Sequence, residues 1–125
     1  MNGNKLLLDT NIILYILDGD NFLSDYLSNK ILYTSIICEI ELLGYKSLTT
    51  KEISGIESFL NKFRIISVDQ SIKKLTIQLR RAYSIKIPDA IIAATSIELG
   101  IPLVTADIGF KNIVELNIDL YNQTS

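Results

Sequence analysis

Short apolar runs bounded by polar residues recur along the chain, and stretches with helical spacing fill the intervals between them. The runs KLLLD (5–9), ILYTS (31–35), RIISV (64–68), PLVTA (102–106) and IDLY (118–121) are mostly continuous rather than strictly alternating. That pattern suits strands covered on both faces. Helical spacing runs through 11–18, 22–28, 36–48, 50–62, 70–84 and 88–99. Several boundaries carry their own signals: Thr49 and Glu52 have capping-box spacing, Asp69 can cap the helix after it, Pro88 suits a first turn, and Gly100 suits a stop. Strand and helix in alternation predict an α/β fold, a three-layer α/β/α sandwich with a mainly parallel central sheet. Sites in such folds gather at the carboxyl ends of the strands. No repeat, low-complexity stretch or Pro/Gly/Ser linker interrupts the pattern, so residues 1–125 read as one domain.

Composition removes whole classes of chemistry. There is no histidine, which excludes imidazole acid–base catalysis, Ser/His/Asp and Cys/His nucleophilic systems, and His-ligated zinc. The single cysteine, Cys38, leaves no intrachain disulfide and no Cys-rich metal site. Any metal must then be held by oxygen. Apolar residues make up 48% of the chain, with Ile and Leu supplying 40 residues, so a folded core rather than disorder is expected. A net charge of −2 argues against a surface that is basic throughout, while leaving room for a local basic patch. The longest early apolar run, LLLDTNIILYIL, is broken by Asp9, Thr10 and Asn11 and is too short to span a membrane, so a cytoplasmic location is expected.

Four acids stand out by position. Asp9 closes the first strand directly before a helix, where it suits either a backbone cap or a ligand contact. With Asn11 or Thr10 available to cap, Asp9 would be released toward a ligand. Glu41 lies on a helix that is apolar around most of its circumference, on the face of Ile37, Gly44 and Leu48, whereas Glu39 lies on the side leading to solvent. A charge facing inward there needs a partner, and a cation is the simplest one. Asp89 follows Pro88 at a helix start, where the helix dipole already favours an acid, and Asp107 follows a late strand, where a turn aspartate is ordinary. Jointly they suggest a cup of like charges at one sheet edge, which a divalent ion would stabilise.

These residues lie in three blocks, LLLDTNIILYIL (6–17), TSIICEIELLGY (34–45) and IPDAIIAATSIELGIPLVTADIGF (87–110). In order and spacing they resemble the PIN-domain ribonucleases, in particular the VapC-type toxins of toxin–antitoxin pairs. The resemblance implies Mg²⁺ or Mn²⁺ held by Asp9, Glu41, Asp89 and Asp107 for hydrolysis of RNA phosphodiesters. Thr10, Asn11 and Thr105 fall on the family's accessory polar positions. Many relatives carry a further acid where this chain has Gly109, which weakens the case for a fully occupied second metal site. The resemblance also implies a homodimer and a separate antitoxin whose basic side chain could replace the metal in the acidic pocket.

The segment 70–84 presents Lys73, Lys74, Arg80 and Arg81 on one side and Ile72, Leu75, Leu79, Ala82 and Tyr83 on the other, with Lys86 following. A solvated amphipathic face explains this arrangement, and so does a track for an RNA backbone. Ile77 interrupts the basic side and hints at a protein partner. Two rival classes fit the spacing poorly. A phosphoacceptor receiver needs adjacent acids where the chain has Asp9-Thr10, and an Asp-x-Asp phosphatase needs an acid where it has Asn11. A PIN-like module that binds without cutting remains the other reading.

Overall fold

The computed structural model describes residues 3–122, and its centre is β1 (Lys5–Leu8). The chain continues through α1 (Thr10–Leu17), α2 (Asn21–Leu27), β2 (Ile31–Ser35), α3 (Ile36–Leu43), α4 (Thr50–Leu60) and β3 (Arg64–Ile66). It ends with α5 (Gln70–Ala82), α6 (Ile87–Leu99), β4 (Leu103–Thr105), a 3₁₀ turn (Ile108–Asn112) and β5 (Ile118–Leu120). All four strand pairings are parallel, in the order β3-β2-β1-β4-β5. A receiver domain would have the order 2-1-3-4-5, so the topology removes that rival.

The continuous apolar runs divide residue by residue between two cores, as a period of two requires. On one face Leu7, Tyr33 and Leu103 pack with Ile72 and Leu79 of α5 and Ile92, Ala93 and Ala94 of α6. On the other, Leu6, Leu8 and Val104 pack with Ile12, Ile13, Leu23, Leu27, Ile56 and Leu60 from α1, α2 and α4. Helix α3 straddles both, sending Cys38 to the first core and Leu42 to the second. The predicted three-layer α/β/α arrangement is therefore the observed one.

The anticipated caps form as well. Thr49 and Glu52 make a reciprocal capping box, Asp69 accepts the Ile72 amide at 2.9 Å, and Pro88 sits in the first turn of α6. Gly100 ends α6 in the left-handed region (φ 68°), a conformation a side chain would strain. Two features differ from expectation. Helix α3 stops at Leu43, five residues before the apolar pattern ends, and the 3₁₀ turn at Ile108–Asn112 has no counterpart in the hydrophobic periodicity. Among the described residues no helix is long and apolar enough to cross a membrane.

Candidate active site

Strand order reverses at β1, whose neighbours β2 and β4 lead away in opposite directions, and such a switch point opens a crevice beyond the strand ends. Asp9 follows β1 and Asp107 follows β4, Asp89 lies in the first turn of α6, and Glu41 projects from α3. All four line one cavity of about 550 Å³, together with Thr10, Asn11, Ile40, Gly44, Tyr45, Ile92 and Phe110.

Asp9 is only 6% exposed and has two fixed hydrogen bonds. Its Oδ1 accepts the Ile12 amide at 3.1 Å, and its Oδ2 accepts the Thr105 hydroxyl at 2.5 Å. Asp9 is thus itself the cap of α1, and Thr10 and Asn11 do not release it from that task. The reason lies in the backbone: Asp9 is the last extended residue before the helix, the position from which a carboxylate reaches the third helical N–H. A carboxylate offers about four acceptor sites, so both oxygens retain capacity toward a cation. Thr105 Oγ1 also accepts the Asp107 amide at 3.1 Å, which ties the two aspartates through one buried hydroxyl. Asp107 Oδ1 in turn accepts the Gly109 amide at 2.8 Å, and a Cβ on Gly109 would meet that oxygen at 3.0 Å.

Glu41 corrects the expectation of an inward-facing charge. It is exposed at the cavity wall, its Oε1 accepts the Thr10 hydroxyl at 2.6 Å, and Glu39 is the half-buried member of the pair. The helix ends only two residues beyond Glu41, so this face meets the open crevice instead of a packed layer. Tyr45 and Gly44, also on the cavity wall, were legible in principle from their spacing of four and three after Glu41.

Like charges govern the electrostatics. Burial, and then the Asp107 and Asp89 carboxylates, push the Asp9 carboxyl above its ordinary value, against the opposing pull of its two hydrogen bonds. Burial followed by Asp107 and Glu41 raises Asp89, while Lys86 draws it down. Two carboxylates held above their ordinary range in one cavity favour a cation. The donor set, all carboxylate and hydroxyl oxygen, suits a hard divalent ion. Among the described residues no three Asp, Glu, His or Cys side chains already stand as a ready-made metal group, so the acids ring the cavity without meeting at one point.

Four of the five basic residues Lys73, Lys74, Arg80, Arg81 and Lys86 line two surfaces, with Arg80 on both. Lys86 lines a second hollow that shares Asp89, Asp107 and Phe110 with the acidic cavity, and a third hollow joins Lys86 to Arg80 through Tyr83, Ser84 and Ile85. Arg80 Nη1 donates to the Ile85 carbonyl at 2.7 Å, which fixes the guanidinium along that path. Lys73 and Arg81, again with Arg80, rim a groove floored by Val68, Ile77, Ile87 and Ile91. Lys74 is exposed on α5 and lines none of these hollows.

Comparison with known proteins places this geometry in a family. A search of curated protein sequences finds no match. Among solved structures, a toxin–antitoxin complex from Klebsiella pneumoniae is 29% identical with a TM-score of 0.77, covering 89% of this chain and 94% of that one. FitAcB from Neisseria gonorrhoeae is 26% identical with a TM-score of 0.75, covering 90% and 95%. VapBC2 from Rickettsia felis, bound to a DNA fragment from its promoter, shares the fold at 24% identity and a TM-score of 0.83, covering 94% and 99%. The family model of the PIN domain matches residues 6–116, and the chain belongs to the PIN domain family.

Proposed function

We propose that this protein is a metal-dependent endoribonuclease acting in the cytoplasm as the toxin of a type II toxin–antitoxin pair, with residues 1–125 as one nuclease unit. The observation that carries the reading is the convergence of Asp9, Glu41, Asp89 and Asp107, from four separate elements, on one cavity at the sheet's switch point. The toxin–antitoxin complex from Klebsiella pneumoniae, similar over most of both chains, supports the pairing with an antitoxin. Mg²⁺ or Mn²⁺ held by these four acids supplies, when bound, activation of a water molecule and neutralisation of the charge that develops on the phosphodiester.

The chain's own residues supply the positioning. Thr105 locks Asp9 and Asp107 in register, and Thr10 holds Glu41 at the cavity wall. Lys86 and Arg80 extend from the acidic cavity as a path for flanking phosphates, and Lys73, Lys74 and Arg81 continue the basic surface of α5. Asn11 lines the cavity beside Thr10, which puts an uncharged polar side chain within reach of a substrate there. The exposed Ile77 suits the buried face of a homodimer, and an antitoxin would silence the site by placing a basic side chain among the acids.

The test is RNA cleavage by the purified chain with Mn²⁺, Mg²⁺ or EDTA, run beside a thermal melt in each. Cleavage should require the ion, and Asp9→Asn should reduce it at least about a hundredfold, in the range seen when one electrostatic group is removed from an active site. The ion should raise the melting temperature of the native chain more than that of the variant. Cleavage that survives EDTA or Asp9→Asn overturns the reading. RNA binding without cleavage in any metal would assign the chain to the non-catalytic modules.

A further inference from the structure

Helix α2 carries two stripes four residues apart. Leu23 and Leu27 are buried against the sheet, whereas Phe22 is 65% exposed and Tyr26 40% exposed. Phe22 is the middle of a row of nearly parallel rings, 6.2 Å from Tyr26 at 5° and 5.9 Å from Tyr121 at 15°. Each tyrosine hydroxyl donates to an aspartate across the α2–β5 junction, Tyr26 to Asp119 and Tyr121 to Asp20. The row walls a hollow of about 730 Å³ at the edge of the sheet, with both acids on its lining.

An aromatic row with two carboxylates has one complementary ligand chemistry. Ring faces are negative and attract cations, and carboxylates with remaining lone pairs accept their N–H groups. The chain already shows the preference, since Lys30 Nζ lies 5.7 Å from the centre of the Tyr26 ring. Phosphates of a nucleic acid would meet Asp20 and Asp119 as like charges, and a second copy would bring the same two acids. We infer that the shelf formed by Phe22, Tyr26 and Tyr121, with Asp20 and Asp119, docks an arginine side chain from a segment of a partner protein. Arginine fits better than lysine because its planar guanidinium stacks on a ring while donating sideways to carboxylates. The Tyr121 hydroxyl, foremost among its hydrogen bonds, holds the Asp20 carboxyl below the usual range, so its charge is present at neutral pH. The inference rests on α2 and β5 and stands whether or not the acidic cavity cleaves RNA.

The probe is a fluorescein-labelled hexapeptide of alternating valine and arginine, titrated into the full chain by anisotropy beside a counterpart in which citrulline replaces arginine. Loss of the positive charge should weaken binding about tenfold or more, and Phe22→Ala and Asp119→Asn should each weaken the arginine peptide about fivefold. The titrations are repeated in a Glu41→Gln/Asp89→Asn background, which weakens the acidic cavity as a second arginine site, and the dependence on Phe22 and Asp119 should persist there. Phe22→Ala forfeits two ring contacts, so its melt is run beside the native chain's, and the arginine–citrulline comparison on the native chain keeps the test independent of that loss. Equal affinity for the citrulline peptide, or binding abolished by the Glu41/Asp89 pair and indifferent to Phe22, overturns the inference. So would tighter Phe22-dependent binding of hexauridylate, or self-association that Phe22→Ala breaks.

Discussion

Asp9 is at once a helix cap and a buried charge, and the two roles separate on substitution. Asparagine caps as well as aspartate, so Asp9→Asn keeps an acceptor for the Ile12 amide. The Thr105 hydroxyl loses its carboxylate acceptor but can take the new side-chain N–H on its second lone pair. What disappears is a charge that burial and two neighbouring aspartates disfavour. A carboxyl whose folded pKa lies above its unfolded value binds its proton more tightly in the fold, so its contribution to stability falls as pH rises from near the ordinary 3.8 through the raised value. The difference in urea midpoint between Asp9→Asn and the native chain in EDTA should therefore grow in the variant's favour from pH 4 upward, then level off. Taking the difference cancels Asp20 and Glu115, whose lowered values act in the opposite sense. A flat or falling difference would mean that the charge is compensated in the fold. Sequence alone left Asp9 between a cap and a ligand contact, because Asp, Thr and Asn are all capping residues and only the strand's end decides which is extended.

At the level of elements, α3 shows what periodicity can and cannot reveal. Its apolar spacing continues through Leu48, yet the helix stops at Leu43 and leaves Gly44 and Tyr45 on the cavity wall. Gly44 has an ordinary φ of −88°, so its glycine is not required by a left-handed turn. It is required by space, since a Cβ there would stand 2.7 Å from the Ile40 carbonyl oxygen. Gly44→Ala should force the backbone aside and cost about 1–3 kcal/mol, as overpacking typically does. It should also displace Glu41 and lower RNA cleavage more than the stability loss explains. Matched urea denaturation and cleavage rates check both, and an alanine variant as stable and active as the native chain would show that the wall relaxes freely. Helices α4, α5 and α6 were readable because cap and pattern agreed at Thr49, Asp69, Pro88 and Gly100. The inward placement expected for Glu41 failed for want of knowing which neighbour covers the face, which is a property of the assembled layers.

For the whole molecule, strand order decides what the acids can do together. The runs at 5–9 and 102–106 carry no mark of being neighbours, yet the pairing of β1 with β4 brings the Thr105 hydroxyl to Asp9 across 96 residues. The same packing gives the surface a gradient of charge, from the acidic cavity past Lys86 to Arg80. A net charge of −2 does not reveal this, because an average hides adjacent regions of opposite sign. If RNA lies along that path, each cation that meets a phosphate releases counterions, and the logarithm of affinity falls with the logarithm of salt by about 0.7 per contact on a single strand. Replacing Arg80 and Lys86 together by Gln in the Asp9→Asn background should weaken RNA binding and flatten the slope by about 1.4. Replacing Lys73 and Arg81, which rim the separate groove floored by Ile77 and Ile87, should flatten it less. Anisotropy titrations of a labelled RNA between 50 and 300 mM KCl, roughly the range in which such slopes are resolved, distinguish the two pairs. An unchanged slope in the Arg80/Lys86 variant would remove RNA from the path.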